Sequence, residues 1–299
     1  MVSGIINVYK EKGFTSFDVV AKMRGIFHQK KIGHTGTLDP DAEGVLPVCL
    51  GRATKVCDLL TDKDKTYRAV LLLGQVTDTQ DTSGTVLSTC DTAGLEEEEV
   101  LAAVQSFIGE YAQIPPMYSA LKVGGKKLYE LAREGKTVER KARNVVIHSI
   151  HIRKIDLPRV EMDVSCSKGT YIRTLCHDIG EKLGVGGCME SLLRTQVGRF
   201  LLEDSMRLGQ IEEMKEAGRL EEILQPIDSV FEQYRAVQIR PDQEKRLQNG
   251  NVFRKPDRSQ HYDDGEMVRV YDSDGHFAAV YRYAEKEQEF KIVKMFLQP

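Results

Sequence analysis

Residues 34–46 read His-Thr-Gly-Thr-Leu-Asp-Pro-Asp-Ala-Glu-Gly-Val-Leu. Three carboxylates, Asp39, Asp41 and Glu43, alternate along this stretch and Gly44 follows them. Alternating acids before a glycine are how a calcium loop begins. A carboxylate in such a loop could also attack carbon, stabilise positive charge or take up a proton. The calcium reading needs a bidentate acid at the twelfth position, which counted from Asp39 is Leu50. It also needs helical flanks, whereas 45–50 is an apolar run that reads as a buried strand. Most of the case for calcium is thereby removed. A plain acidic turn stays open, because Asp-Pro and Glu-Gly are good turn formers.

Positive charge collects in two places. Between Lys122 and Arg143 there are eight Lys or Arg (Lys122, Lys126, Lys127, Arg133, Lys136, Arg140, Lys141, Arg143) against three Glu, in a stretch that holds Gly124, Gly125 and Gly135. Lys22, Arg24, His28, Lys30 and Lys31 form a second group just before the acidic motif. A solvated helix face explains a lone basic run well. Two runs beside a motif favour a polyanion such as nucleic acid, although the net charge of the 299-residue chain is only −3. The start, MVSGIINVYKEKG, has no long apolar stretch and is not expected to be a signal peptide. No apolar run approaches a membrane span. Cys49, Cys57, Cys90, Cys166, Cys176 and Cys188 form no CxxC pair and read as reduced thiols of a cytoplasmic protein. Seven histidines without paired metal spacing argue against a metal site.

The elements that must position these groups can be read from periodicity. Ile5–Tyr9 is an expected strand. Thr15 opens a helix through a Thr-x-x-Asp capping box with Asp18, and Val19, Val20, Met23, Ile26 and Phe27 give that helix an apolar face. A loop carries the acidic motif into a strand over 45–50, and a helix follows over 53–60. A strand is expected over 67–74 and a helix over 95–109, with Leu95, Val100, Val104 and Ile108 inward; Pro115-Pro116 then stops regular structure. Strands over 144–155 and 160–166, a helix over 171–183, a break at Val185-Gly186-Gly187 and a strand over 191–197 complete the larger part. The fold class is α+β, a mixed, largely antiparallel sheet flanked by helices. From about Arg235, short strands (236–239, 267–271, 278–283, 290–295) around one helix near 242–247 read as a small β-rich domain. The expected division is 1–234 and 235–299.

Four blocks now stand in order: Gly33-His34-Thr35-Gly36-Thr37-Leu38-Asp39-Pro40, Lys65-Thr66-Tyr67-Arg68, Cys166 through Thr174 (CSKGTYIRT), and Leu192-Leu193-Arg194. With Gly51 to Lys55, Gly74-Gln75 with Thr77-Asp78-Thr79, and Gln113 to Lys122, they resemble the TruB family of tRNA pseudouridine-55 synthases over roughly residues 4–200. Beyond 235 the chain resembles the PUA-like RNA-binding domain that ends many such proteins. The resemblance implies the pseudouridine synthase fold and isomerisation of the T-loop uridine of tRNA. The N1–C1′ bond breaks and the base rejoins through C5, so no cofactor is needed.

Asp39 matches the family's catalytic aspartate, and the match gives Asp41 and Glu43 no catalytic role. Arg173 matches the arginine that pairs with it, and an adjacent arginine lowers a carboxylate pKa by about 1–3 units. Asp81 aligns with the acid that holds this arginine, with Asp78 as the competing choice. A base stacked in a folded loop must be flipped out to be reached. Tyr67 matches the tyrosine that would stack on it, Tyr171 and Leu192 the apolar wall, and His34 the histidine that helps hold the flipped-out RNA. Lys10 matches a lysine of the family's first block, with Glu11 where proline is usual. Lys122, Lys126, Lys127, Arg140, Lys141 and Arg143 fall in the family's mobile segment that closes over the RNA arm, about 122–143. The expected partner is the T arm of tRNA, with no membrane, no metal and no second copy of the chain. Two rivals remain: a protein that binds and folds tRNA without modifying it, and a pseudouridine synthase acting on another RNA.

Overall fold

Thr15 caps the first helix as its sequence directs. In the computed structural model, which describes residues 1–257 and 259–297, the Thr15 hydroxyl accepts from the Asp18 amide at 3.0 Å and the Asp18 carboxylate accepts from the Thr15 amide at 2.8 Å. The helix runs Ser16–Phe27 and buries Val19, Val20, Met23, Ile26 and Phe27. They pack on Ile6, Val8, Leu46 and Val48 of two sheet strands.

Those strands belong to one large sheet. Its spatial order is Gly4–Lys10, Glu43–Leu50, Gly187–Val197, Lys65–Leu73, Arg159–Cys166, Arg143–Asp156 and Gly109–Gln113. Every neighbouring pair along this path is antiparallel except Glu43–Leu50 with Gly187–Val197, which is parallel. The fold is therefore the mixed, largely antiparallel sheet that the alternation of strands and helices implies. Lys65–Leu73 alternates buried and half-buried residues along its whole length, the period-two signature of a strand with one face in the core. The helix Ile172–Lys182 covers that face. It crosses so closely that a Cβ on Gly180 would lie 2.2 Å from the Gly187 nitrogen.

The parallel strand pair on this path is as tight. Gly44 pairs with Arg194 at φ +104, and a Cβ there would sit 2.2 Å from the Arg194 carbonyl oxygen. Gly44→Ala should cost about 3 kcal/mol or more of stability, since it adds a clash with backbone to a strained φ. Urea unfolding measures this, and a loss below about 1 kcal/mol would contradict the tight crossing.

The second sheet takes Arg235–Gln238, Met267–Tyr271, Phe277–Ala284, Glu289–Met295 and Phe253–Arg254 in that spatial order. It has its own aromatic core of Phe253, Tyr262, Tyr281, Tyr283 and Phe290. Val280 and Phe296 instead join Ile5, Val45, Cys49 and Phe231, so the small sheet is docked on the large one through a shared apolar cluster. The Arg52 and Lys55 side chains donate to the backbone carbonyls of Phe296 and Met295 across this seam.

Several expected boundaries shift. The 95–109 helix is only Glu97–Gln105, so Ile108 lies past its end and is 41% exposed instead of inward. The 53–60 helix is a 3-10 turn, Gly51–Val56, followed by the short helix Cys57–Thr61. The strand expected from 191 begins at Gly187, because the glycines that break the helix also pass beneath it. Unforeseen elements are the hairpin Gln75–Thr77 with Val86–Thr89 and the helix Leu208–Glu216. All six cysteines are free, with Cys90 exposed, Cys57 half-buried and the others buried.

Candidate active site

The acidic motif is the loop of a hairpin. Ile32–His34 pairs antiparallel with Glu43–Leu50, from Ile32 opposite Leu50 to His34 opposite Val48, and residues 35–42 connect them. Both sides of Asp39 are anchored. Leu38 is plugged into the core and its amide donates to the Ser16 hydroxyl at 2.9 Å. Ala42 is buried and its amide donates to the Asp39 carbonyl at 3.1 Å. The Gly13 amide holds the Pro40 carbonyl at 2.9 Å. Beneath the loop the fully buried Lys10 ammonium donates to the carbonyls of Pro40, at 3.0 Å, and of Ala42. Asp39 itself is free to face outward, with 42% of its side chain exposed. Asp41 is exposed, and Glu43 accepts from the Tyr9 hydroxyl at 3.1 Å, so neither joins the site.

Arg173 faces Asp39 from the first turn of the helix Ile172–Lys182. Its Nε lies 3.0 Å from Asp39 Oδ2. One terminal nitrogen donates to the Thr79 carbonyl at 3.0 Å and lies 3.6 Å from Asp81 Oδ2; the other donates to the Tyr118 carbonyl at 2.8 Å. The two candidate acids differ in what they face. Asp81 holds Arg173, while Asp78 accepts from the Thr85 amide within its own hairpin. The helix start is itself clamped: Gln113 accepts from the Tyr171 amide at 2.7 Å and donates to the Tyr171 carbonyl at 2.9 Å.

Tyr67, Leu192 and Arg194 complete the floor. Tyr67 is cross-strand to Arg194, and Ala69 to Leu192, so these side chains share one face of the sheet. Tyr67 is 8% exposed and packs in the same cluster as Leu38 and Ala42, with Leu192 against it. Arg194 is 1% exposed; its Nε donates to the Val45 carbonyl at 2.7 Å and a terminal nitrogen to the Gly36 carbonyl at 3.2 Å. His34 stands at the hairpin's edge, its Nδ1 accepting from the Gly36 amide at 3.3 Å.

The electrostatics follow from burial and from these cations. Burial pushes the Asp39 carboxyl above the usual aspartate range, and Arg173 offsets only part of that rise. The pairing with Arg173 is as the resemblance implies, but the net direction is upward, not downward, because loss of solvent on the half-buried carboxyl outweighs the guanidinium. Burial and Arg194 lower the His34 pKa, so its ring is neutral near pH 7. Burial raises the Tyr67 phenol and Arg194 draws it back. Burial lowers Lys10 to about 8.

The basic segment adjoins this site. Lys122–Val123 and Lys126–Lys127 form a small hairpin that leads into the helix Leu128–Arg133, and buried Leu128 pins the segment down. The amides of Leu128 and Tyr129 donate to the carbonyls of Leu121 and Ser119, next to the Tyr118 carbonyl that holds Arg173. Its cations are not equivalent. Lys126 and Lys136 share Glu134, at 3.0 and 2.7 Å. Lys127 donates to the Tyr129 hydroxyl, and Arg140 to the Pro115 carbonyl at 3.0 Å. Lys122, Lys141 and Arg143 are exposed and make no ion pair among the described residues.

The structure thus gathers Asp39, Arg173, Asp81, Tyr67, Tyr171, Leu192 and His34 at one place. Sequence reasoning gave no role to Arg194 or Gln113, and for Lys10 noted only a match. All three lie inside matched blocks, but their contacts are made across distances of 30 or more residues. No group of three or more His, Cys, Asp or Glu among the described residues could hold a metal ion. No helix among them is long and apolar enough to cross a membrane.

Comparison with known proteins identifies the family. Residues 24–172 match the family model of the TruB family pseudouridylate synthase N-terminal domain, and residues 173–232 that of the tRNA pseudouridylate synthase B C-terminal domain. A Lachnoclostridium phytofermentans protein named tRNA pseudouridine synthase B is 54% identical over 99% of this chain and all of its own length. Proteins of the same name from Clostridium perfringens and Bacillus pumilus are 45% and 41% identical over 99% and 100% of this chain and over 100% and 99% of their own. Among solved structures, one described as a Cbf5-Nop10-Gar1 complex superposes with a TM-score of 0.73 at 27% identity, covering 98% of this chain and 85% of that one. Family models across the site and relatives of matching length place this chain in the TruB family of pseudouridylate synthases.

Proposed function

We propose that this chain is a tRNA pseudouridine synthase that converts the T-loop uridine, position 55 of tRNA, to pseudouridine. The observation that carries the reading is the Asp39–Arg173 pair, 3.0 Å apart, beside the apolar cluster that holds Leu38, Tyr67 and Leu192. A protein that only binds tRNA has no use for a carboxylate held outward by a loop anchored at Leu38, Pro40 and Ala42. Relatives 41–54% identical over the whole chain carry the tRNA enzyme's name, whereas the likeness to the Cbf5-containing particle is 27%. That difference favours a stand-alone tRNA enzyme over one working in a multi-protein complex.

In this reading the uridine is flipped out of the loop, with His34 beside the vacated stack and Tyr67, Tyr171 and Leu192 against the base. Asp39 stabilises or attacks the sugar carbon while the C1′–N1 bond breaks. The base turns, C5 bonds to C1′, the C5 proton is lost to solvent and N1 gains one. Nothing is oxidised or added. Residues 1–234 form the catalytic domain and 235–299 an RNA-binding domain.

Tritium release from tRNA carrying 5-tritiated uridine tests this, because the C5 hydrogen leaves only when C5 bonds to the sugar. Release is expected from wild-type tRNA and not from tRNA with cytidine at position 55. Release independent of that position would overturn the assignment.

The segment 122–143 supplies phosphate contacts through Lys122, Lys141 and Arg143, three exposed cations without an ion pair among the described residues. Replacing all three by Gln should weaken tRNA binding and lower the slope of log K against log salt by about 2–3, at roughly 0.7–0.9 per phosphate contact. An unchanged slope would contradict the role.

A further inference from the structure

Three cations lie buried around Tyr67 and the Asp39 loop without an anion against any of them. Lys10 is 0% exposed, and its ammonium meets the carbonyls of Glu11, Pro40 and Ala42. Arg194 is 1% exposed and meets the carbonyls of Val45 and Gly36. Lys65, two residues before Tyr67 on the same strand face, is 6% exposed and meets the carbonyls of Thr61 and Lys63. Of the carboxylates whose charge reaches them, Asp39 pairs with Arg173, Glu43 accepts from Tyr9, Asp62 pairs with Lys168 and Asp64 with His148, while Asp41 lies exposed on the loop.

Buried charges are ordinarily paired, because taking an ion out of water costs several kcal/mol. Carbonyl dipoles recover part of this cost and leave the positive field standing. That field is felt locally. It contributes to the lowered His34 pKa, and both lysines are driven to about 8 by burial, with Arg194 adding to the effect. Asp39 pairs with Arg173, which also faces Asp81, so neither of these carboxylates forms an ion pair with the three buried cations.

On the reading of this chain as a pseudouridine synthase, the reaction creates an anion at this place. When C1′–N1 breaks, the bonding pair stays on N1 and spreads over the uracil ring oxygens, while positive character on C1′ is taken up by Asp39. Once Asp39 is engaged with the sugar, its own charge is spent and the cations face the departing base. We propose that Lys10, Lys65 and Arg194, buried without ion pairs, form a cluster of positive charge that stabilises the uracil anion between release from N1 and rejoining through C5. They act through space, from beneath the loop and behind Tyr67, and need not touch the base.

The test uses tRNA with either uridine or 5-fluorouridine at position 55. Fluorine withdraws electrons, so the fluorinated base departs as a more stable anion and needs less help. Disappearance of the N-linked nucleoside is followed under single-turnover conditions for wild type, Arg194→Met, Lys10→Met and Arg194→Lys. The two Met variants should slow uridine by about 100-fold and fluorouridine roughly tenfold less, the scale of losing one preorganised electrostatic group. Arg194→Lys keeps the charge and should keep the wild-type ratio between the substrates, whatever its absolute rate. Affinity for tRNA should not change. Equal losses with both substrates would show that the residues only hold the loop and would overturn the proposal. If Arg194→Met does not fold, Lys65→Met gives the same comparison from the other side of Tyr67. Failure of the wild type to convert either substrate would instead overturn the functional reading itself.

Discussion

Asp39→Asn will bind tRNA as tightly as the wild type and release no tritium from 5-tritiated uridine, a loss of roughly 10⁴-fold or more, as expected when a nucleophile or charge-stabilising group is removed from a preorganised site. The substitution keeps shape and removes charge. The loop should keep its place, because its anchors are Leu38, Pro40, Ala42 and Lys10 and none of them involves the carboxylate. Stability should not fall either. The Asp39 pKa is raised in the folded state, so its ionised form is unfavourable to folding, and that penalty is fully present above the folded pKa. Because the side chain is 42% exposed, solvent screens much of the effect. Thermal unfolding at neutral pH should therefore give an unchanged or slightly higher midpoint for Asp39→Asn. Residual turnover near wild type would show that another group does the chemistry. A markedly lower midpoint would show that the carboxylate holds the loop after all.

Arg173→Met has the second largest expected effect, a loss of about 10²–10³-fold in kcat/KM together with a displaced pH profile. Arg173 is the largest influence holding the Asp39 pKa down against burial. Removing it lets that pKa climb further. Activity needs the ionised carboxylate, so the acid limb of kcat/KM should move to higher pH in the variant. The wild-type limb should already lie above the ordinary aspartate value of about 3.9. Arg173→Lys keeps a charge but loses the fork that also holds the Thr79 and Tyr118 carbonyls and Asp81. It should retain part of the pH profile and less of the rate. An acid limb at the same pH in wild type and Arg173→Met would disprove the electrostatic coupling of this pair.

How far the sequence discloses the molecule depends on the range of the interaction. The capping box of Thr15 and Asp18 and the apolar run inside Lys65–Leu73 are local, and the helix and strand they imply are present, the strand beginning two residues earlier than expected. Val86–Thr89 is exposed at every position, so no burial pattern announces it, and Leu208–Glu216 buries only Ile211. The grouping of Asp39, Arg173, Tyr67 and Leu192 follows from the resemblance of ordered motifs, since four distant segments carry no mark of proximity in themselves. Arg194 shows the limit. It sits in a recognised block, yet its burial behind Tyr67 and its lack of a counter-ion arise from a parallel strand crossing at Gly44. The direction of the Asp39 pKa was likewise out of reach, because it depends on burial as well as on the neighbouring arginine.

The most direct test of the account is to map the product. A full tRNA transcript would be incubated with the protein and its pseudouridines located by carbodiimide modification and primer extension. The account predicts a single stop, at the T-loop uridine, absent with Asp39→Asn. A stop elsewhere in the tRNA, or none with a protein that binds the transcript tightly, would contradict it.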